Sequence, residues 1–241
     1  DLRGFARLAA SYAHNAQGLV QLIHNYMDQT LPAITRNSGT VDKLVGDGVV
    51  AFWNAPHTVD NHAAQSVKAA MEMLAQIRKL NQMLTPEEVP FVLDIGINTG
   101  IAVLGDIGSK RKFNYTALGE TVRTADGLEN LCKQYGVNII LGETTATQVA
   151  NQYHTLELDT VDSETGTMTR IYTVLDDIQA QTVRESHNRM LDCYYNGRYD
   201  QAIKLCRELR NLGILTDYYQ AMHHRIKIAR MNQADENASS T

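Results

Sequence analysis

The sequence predicts an α+β domain built on a mainly antiparallel sheet, followed by a small all-helical extension. Three observations carry this. Strand-like and helix-like runs mix without regular alternation, which argues against a parallel, doubly wound sheet. Two short apolar runs meet at an Asp-Gly turn in "VDKLVGDGVVAFWNAP", residues 41–56, the pattern of an antiparallel hairpin. After about Asp177 the periodicity becomes purely helical.

The elements follow in order. Leu19, Leu22, Ile23, Tyr26, Met27, Leu31 and Ile34 recur at helical spacing. The hairpin comes next, with strands over 41–45 and 49–53 and a turn at Gly46-Asp47-Gly48. Residues 60–84 form a long amphipathic helix that Asp60 or Asn61 can cap. Residues 91–108 are strand-rich, with a turn at Gly100, and 112–119 make a further strand. A helix over 120–136 ends at Gly136, a residue suited to the left-handed position after a helix. "VNIILG" reads as a buried strand, "ETTATQVANQ" as a short helix, and "HTLELDTV" with "MTRIYTVLD" as a final strand pair. In the extension, "GRYDQAI" resembles part of a tetratricopeptide-like hairpin, a weak match on its own. Tyr194, Tyr195 and Tyr199 read as helix-packing residues, and 232–241 as a disordered tail.

Composition narrows the function. The chain has 241 residues, 44 % of them hydrophobic, enough for one moderate domain and an appendage. A net charge of −5 gives no broad basic face, so nucleic acid is not an expected partner. Cys132, Cys193 and Cys206 show neither zinc spacing nor a disulfide framework, which fits a reducing cytosol. No apolar run is long enough to span a bilayer. The chain starts at Asp1 rather than Met and reads as a fragment, which leaves room for an upstream anchor in the inner membrane.

Asp47 has two readings. Asp suits a turn in its own right. It also suits a hard cation, if a second carboxylate reaches the same spot, because Mg²⁺ commonly takes one or two carboxylates plus phosphate oxygens. Lys43 and Thr116, read without further context, are an ordinary solvated strand residue and an ordinary strand former.

Four stretches taken together, "DLRGFARL", "GTVDKLVGDGVVAFWNAP", "HAAQSVKAAMEM" and "DIGINTGIAVLGDIGSKRKFNYTALGETV", resemble the catalytic domain of class III adenylate and guanylate cyclases. The resemblance covers residues 1–176 and is closest to bacterial members that follow a membrane-anchored sensor domain. It implies a ferredoxin-like sheet with helices, a head-to-tail homodimer with nucleotide sites at the interface, and a missing strand before Asp1. It also implies a reaction, ATP to 3′,5′-cyclic AMP and pyrophosphate, with two Mg²⁺ or Mn²⁺ ions per site. Asp1 and Asp47 match the metal-binding aspartates. Lys43 matches the base-recognition lysine and Thr116 its partner, a pairing similar to the adenine-selective type. Gly4 and Phe5 fall in the turn that cradles phosphates, where helix-starting amides favour anions, although Phe5 suits packing equally well. An upstream sensor domain and a cytoplasmic setting follow from the same resemblance.

Two departures bear on activity. The family's catalytic Asn and Arg, four residues apart on one helix face, are replaced by Arg123 and Gly127. Arg123 is positioned to supply part of the lost charge. It cannot reproduce an amide's mix of donor and acceptor. A lysine that contacts the terminal phosphates is replaced by Asp162, Ser163 and Glu164, and Lys110, Arg111 and Lys112 form a basic run elsewhere in the sequence. Each lost transition-state donor typically costs about 10²–10³ in rate. The sequence therefore supports two readings: a cyclase, and a degenerate cyclase-like regulatory domain that binds nucleotide or dimerises with little turnover.

Overall fold

The computed structural model describes residues 1–85, 88–106, 115–162 and 168–239. Nine helices and eight strands run through them in the order α1(Phe5–Ser11), α2(Ala16–Thr30), α3(Pro32–Arg36), β1(Thr40–Val45), β2(Gly48–Phe52), α4(His62–Gln82), β3(Ile95–Ile97), β4(Val103–Asp106), β5(Tyr115–Leu118), α5(Glu120–Tyr135), β6(Ile139–Gly142), α6(Glu143–Val149), β7(His154–Asp162), β8(Met168–Leu175), α7(Asp177–Tyr195), α8(Tyr199–Arg210) and α9(Thr216–Ser239).

The main sheet has the order β3-β6-β8-β7, parallel between β3 and β6 and antiparallel elsewhere. The hairpin β1-β2 and the ribbon β4-β5 are separate two-stranded antiparallel units. The fold is thus α+β with antiparallel pairing dominant, as the sequence predicts.

Alternation along the buried strands divides the core into layers. In β6, Ile139 and Leu141 face α4 and α6, where Ala63, Ala64, Val67 and Ala70 let the long helix lie close. Ile140, one residue out of phase, faces α5 and the C-terminal helices. In β8, Ile171 and Leu175 join Ile140, while Tyr172 and Val174 face the other way. A third cluster ties α1–α3 to the hairpin and to Met73, Ile77, Phe91 and Leu93.

Residues 1–3 run against 92–94, just before β3. Leu2 bridges Leu93, Arg3 N–H donates to Val92 O at 2.8 Å, and Asp94 N–H donates to Asp1 O at 2.9 Å. Arg3 locks this edge with a two-pronged bond to the buried Asp94, at 2.7 and 2.6 Å, and a third bond to Val137 O at 2.8 Å. Such forked guanidinium–carboxylate pairs fix orientation as well as position.

The structure departs from the sequence reading in two places. The hairpin loop is Gly46-Asp47 alone, because Gly48 already pairs with Val45. Gly46 supplies the positive φ, 64°, that a two-residue hairpin loop needs at its first position. At the other end, α9 continues to Ser239, so residues 232–239 are helical rather than a disordered tail. The extension is also no separate body. Tyr218, Tyr219, Met222 and Ile226 of α9 sit in one cluster with Leu156, Leu158 and Ile171 of the sheet. Tyr194 and Tyr199 pack against that cluster, as expected, while Tyr195 additionally donates its hydroxyl to Glu157 at 3.2 Å.

Candidate functional site

The hairpin carries two polar clusters. The first lies at its turn. Leu2 N–H donates to Asp47 Oδ2 at 3.3 Å, joining residues 45 positions apart. Asp1 Oδ2 comes within 2.7 Å of the point a Cβ on Gly48 would occupy, so the missing side chain at 48 admits the Asp1 carboxylate. The two aspartates that the sequence singles out therefore converge, one from the start of the chain and one from the β1-β2 turn. Gly4, in the left-handed region at φ 77°, opens α1 directly behind Asp1. Phe5, the next residue, is half-buried and packs with Leu2, Leu8 and Tyr26.

The second cluster lies further along β1. The register slips between Val41 and Lys43, leaving Asp42 as the extra residue of a β-bulge. A bulge breaks strict alternation, and the adjacent residues Asp42 and Lys43 both reach Thr116 on β5. Lys43 Nζ donates to Thr116 Oγ1 at 2.7 Å, and Thr116 Oγ1 donates to Asp42 Oδ2 at 2.8 Å. Lys43 Nζ also lies 3.2 Å from Asp42 Oδ2. The Asp42 side chain is fully buried and that of Lys43 is 40 % exposed. Among the described residues, Asp42 Oδ1 is buried without a hydrogen-bond partner. Lys43 lies two residues before the end of β1, and Asp47 is the second residue of the loop that follows.

The structure thus bonds Lys43 to Thr116 and brings the Asp1 carboxylate beside the turn that holds Asp47. Asp42 was missed by sequence reasoning. Its signal was present: an acid beside a base inside an apolar strand, where Asp is disfavoured and alternation should put neighbours on opposite faces.

Helix α5 follows β5 through Gly119, whose φ of 130° suits glycine. Leu128, Cys132 and Tyr135 anchor its inner face. Burial pushes the Cys132 thiol up to about 12, with the Asp94 charge adding to the shift. Arg123 and Gly127 lie exposed, one turn apart, on the outer side. A Cβ at Gly127 would meet nothing within 4 Å, so no packing demands the glycine. Asp162 ends β7, while Ser163, Glu164, Lys110, Arg111 and Lys112 lie outside the described residues.

Two carboxylates thus approach one hairpin turn of an α+β domain. The comparison with known proteins is more specific. The chain belongs to the adenylate and guanylate cyclase catalytic domain family, whose model matches residues 1–176. It is 28 % identical over 178 residues to adenylate cyclase 1 of Rhizobium meliloti (strain 1021), covering 73 % of this chain and 27 % of that protein. It therefore spans about a quarter of that relative's length. Among solved structures it is similar to the guanylyl cyclase Cya2, with TM-score 0.64 and 30 % identity over 72 % of this chain and 87 % of that one. It is also similar to the adenylyl cyclase CyaB from P. aeruginosa, with TM-score 0.61 and 25 % identity over 73 % of this chain and 91 % of that one. Both base specificities thus occur among its relatives.

Class III cyclases generally use divalent metal ions. The carboxylate pair fits such an ion. Neither Asp1 nor Asp47 forms a side-chain ion pair with a cationic residue among the described residues, and both offer hard oxygen donors. No group of three or more His, Cys, Asp or Glu side chains suited to a metal occurs among the described residues. The remaining coordination positions suit water and phosphate oxygens, the usual pattern for Mg²⁺. No helix among the described residues is long and apolar enough to cross a membrane.

Proposed function

We propose that this domain is an adenylate cyclase, converting ATP to 3′,5′-cyclic AMP and pyrophosphate. The observation that carries this reading is the meeting of Asp1 and Asp47 at the hairpin turn, with the Lys43–Thr116 pair on the strand that leads to it. Asp1 and Asp47 would hold the ions, Mg²⁺ or Mn²⁺, which when bound neutralise triphosphate charge and acidify the ribose 3′-hydroxyl. Lys43 donates to a ring nitrogen of the base, and Thr116 accepts from its amino group. Gly4 and Phe5 set the turn beside Asp1 against the phosphates. Arg123 directs positive charge at the α-phosphate. The 3′-oxygen then bonds to the α-phosphorus as the bond to the leaving pyrophosphate breaks, and positioning and electrostatics supply most of the acceleration.

A homodimer is supported by apolar exposure on β1, on the β4-β5 ribbon and on the segment that precedes β4. Leu44, Val45, Ile101, Val103 and Leu118 are 45–95 % exposed, and Val103 and Leu118 are direct cross-strand partners. Upstream, a sensor domain is the expected input. A second reading, a nucleotide-binding regulatory domain of low turnover, is favoured by Gly127, where the helix face carries no side chain.

The test incubates the protein with ATP, GTP, CTP or UTP, each with Mg²⁺ or Mn²⁺, and identifies products by mass. Cyclic AMP that disappears in Asp47→Ala is the expected result. Cyclic GMP from GTP alone overturns the base assignment. Nucleotide binding without product, from folded protein, selects the regulatory reading.

A further inference from the structure

We propose that Asp42 is a positioning residue for base selection: it fixes the Thr116 hydroxyl as a hydrogen-bond acceptor and thereby excludes guanine. This rests on the reading that Lys43 and Thr116 meet the base.

The assignment follows from counting donors and acceptors. A carboxylate beside an ammonium group only accepts, and a lysine ammonium only donates. Thr116 Oγ1 touches both: Asp42 Oδ2 at 2.8 Å and Lys43 Nζ at 2.7 Å. Its single proton must go to Asp42, and one of its two lone pairs is taken by Lys43. What remains toward a ligand is one lone pair. Lys43, after its contacts to Thr116 and Asp42, retains one N–H. The pair thus presents one donor and one acceptor with fixed polarity. Where Lys43 meets ring position 1 and Thr116 position 6, adenine fits, with an acceptor nitrogen and an amino donor. Guanine places a carbonyl against the Thr116 lone pair and an N–H against the ammonium. Without Asp42 the hydroxyl turns freely and meets either the amino group of adenine or the carbonyl of guanine at position 6.

The surroundings of Asp42 favour this role over a structural one. Its side chain is fully buried and its Oδ1 has no partner among the described residues. A buried, half-satisfied carboxylate in mid-strand is a poor stabilising element. It also sits at the bulge, the one irregularity in the β1-β2 register, which turns it toward Thr116. Local regularity has been given up where one oxygen sets the direction of one hydroxyl.

The test measures binding, so it does not depend on turnover. A fluorescent methylanthraniloyl-ATP is displaced by ATP or by GTP, in Mn²⁺, from the wild type, Asp42→Asn and Thr116→Val. The wild type should favour ATP. In Asp42→Asn the amide can donate to Thr116 and release its proton toward the base, so the ATP-to-GTP affinity ratio should fall about tenfold or more. Thr116→Val should weaken ATP by a similar factor and leave GTP nearly unchanged, because an acceptor-only oxygen offers guanine nothing. A wild-type preference for ATP that survives unchanged in Asp42→Asn overturns the role of Asp42 and leaves the proposed function standing. Should Asp42→Asn not fold, Thr116→Val decides: equal losses for ATP and GTP mean a freely turning hydroxyl and overturn the inference. A wild type that binds neither nucleotide, or binds both equally, or prefers GTP, overturns the inference together with the base assignment.

Discussion

Gly48 shows how a single missing atom organises the carboxylate site. The residue is buried in β2, and the space of its absent Cβ is taken by Asp1 Oδ2. Asp1 and Asp47 then share one small region although the chain separates them widely. Gly48→Ala adds a methyl whose carbon falls 2.7 Å from that oxygen, closer than any comfortable contact. The backbone of Gly48 is not in the left-handed region, so the substitution is not strained there, and the flexible Asp1 carboxylate must yield. The expected outcome is near-native thermal stability with Mn²⁺ affinity lowered about tenfold, since ligand positioning by neighbouring contacts is worth about 10–100-fold in metal affinity. Titrating Mn²⁺ by electron paramagnetic resonance checks it, and unchanged affinity would show that Asp1 takes no part in holding the ion. Asp47 was legible in the sequence as an acid in a tight turn. Its convergence with Asp1 was visible only through family resemblance, because no spacing rule links residues so far apart in the chain.

At the scale of elements, α5 carries the departure that the family resemblance implies at Arg123 and Gly127, and that departure is open to repair. The terminal Gly136 made the end of this helix readable from sequence. Gly136 indeed takes the left-handed conformation, φ 64°. The consequence of Gly127 was readable only in part. Its helix propensity is poor wherever it stands, while the open space around it is a fact of tertiary structure. Gly127→Ala should therefore stabilise the protein by about 1 kcal/mol, the ordinary Gly-to-Ala difference in an exposed helix, seen as a higher urea midpoint with unchanged slope. Gly127→Arg should share most of that gain and also place a guanidinium one turn from Arg123 on the same face. If that face meets the α-phosphate, cyclic AMP production by Gly127→Arg should exceed that of Gly127→Ala by about tenfold or more, on the scale of one restored transition-state donor. Equal rates in the two variants would separate α5 from the reaction. The hairpin teaches a complementary lesson. Its strands and turn followed from local pattern, whereas the bulge at Asp42 depends on a partner in β5, 74 residues away.

Over the whole molecule, the helical extension and the cyclase fold share one apolar cluster and should therefore unfold as one body, with His187 of α7 at their junction. Nothing in the sequence signals this junction, because helical periodicity identifies α7–α9 without saying what they cover. His187 is completely buried between β7 and α9, with Nε2 2.6 Å from Glu157 O and Nδ1 3.0 Å from the Tyr219 hydroxyl. The carbonyl can only accept, so Nε2 carries the proton and the neutral ring accepts from Tyr219. Tyr218 donates to Leu158 O beside it, and Arg225 of α9 pairs with Asp159 at 3.2 Å and donates to the Tyr135 hydroxyl of α5. Burial depresses His187 to about 4, the bond to Glu157 O opposing the shift and the Arg184 charge adding to it. The sign follows directly. Below about pH 6.5 the unfolded chain binds a proton at this residue that the folded protein refuses, so stability falls as pH drops from about 6.5 toward 4. At pH 5 the loss relative to pH 7 should be about 2 kcal/mol from this residue alone. His223 is shifted in the same direction, chiefly by partial burial and then by Lys227 and Arg207, so the wild-type slope alone does not isolate His187. His187→Leu does. It should be less stable at pH 7, because Glu157 O and Tyr219 lose their partner, yet it should lose most of the decline between pH 7 and pH 5. Urea unfolding at the two pH values, followed by tyrosine fluorescence and circular dichroism, reads both quantities. A single transition common to both probes is expected, since one apolar cluster spans the sheet and all three C-terminal helices. Two separate transitions, or a His187→Leu profile parallel to wild type, would mean that the extension is an independent body and that the acid sensitivity lies elsewhere.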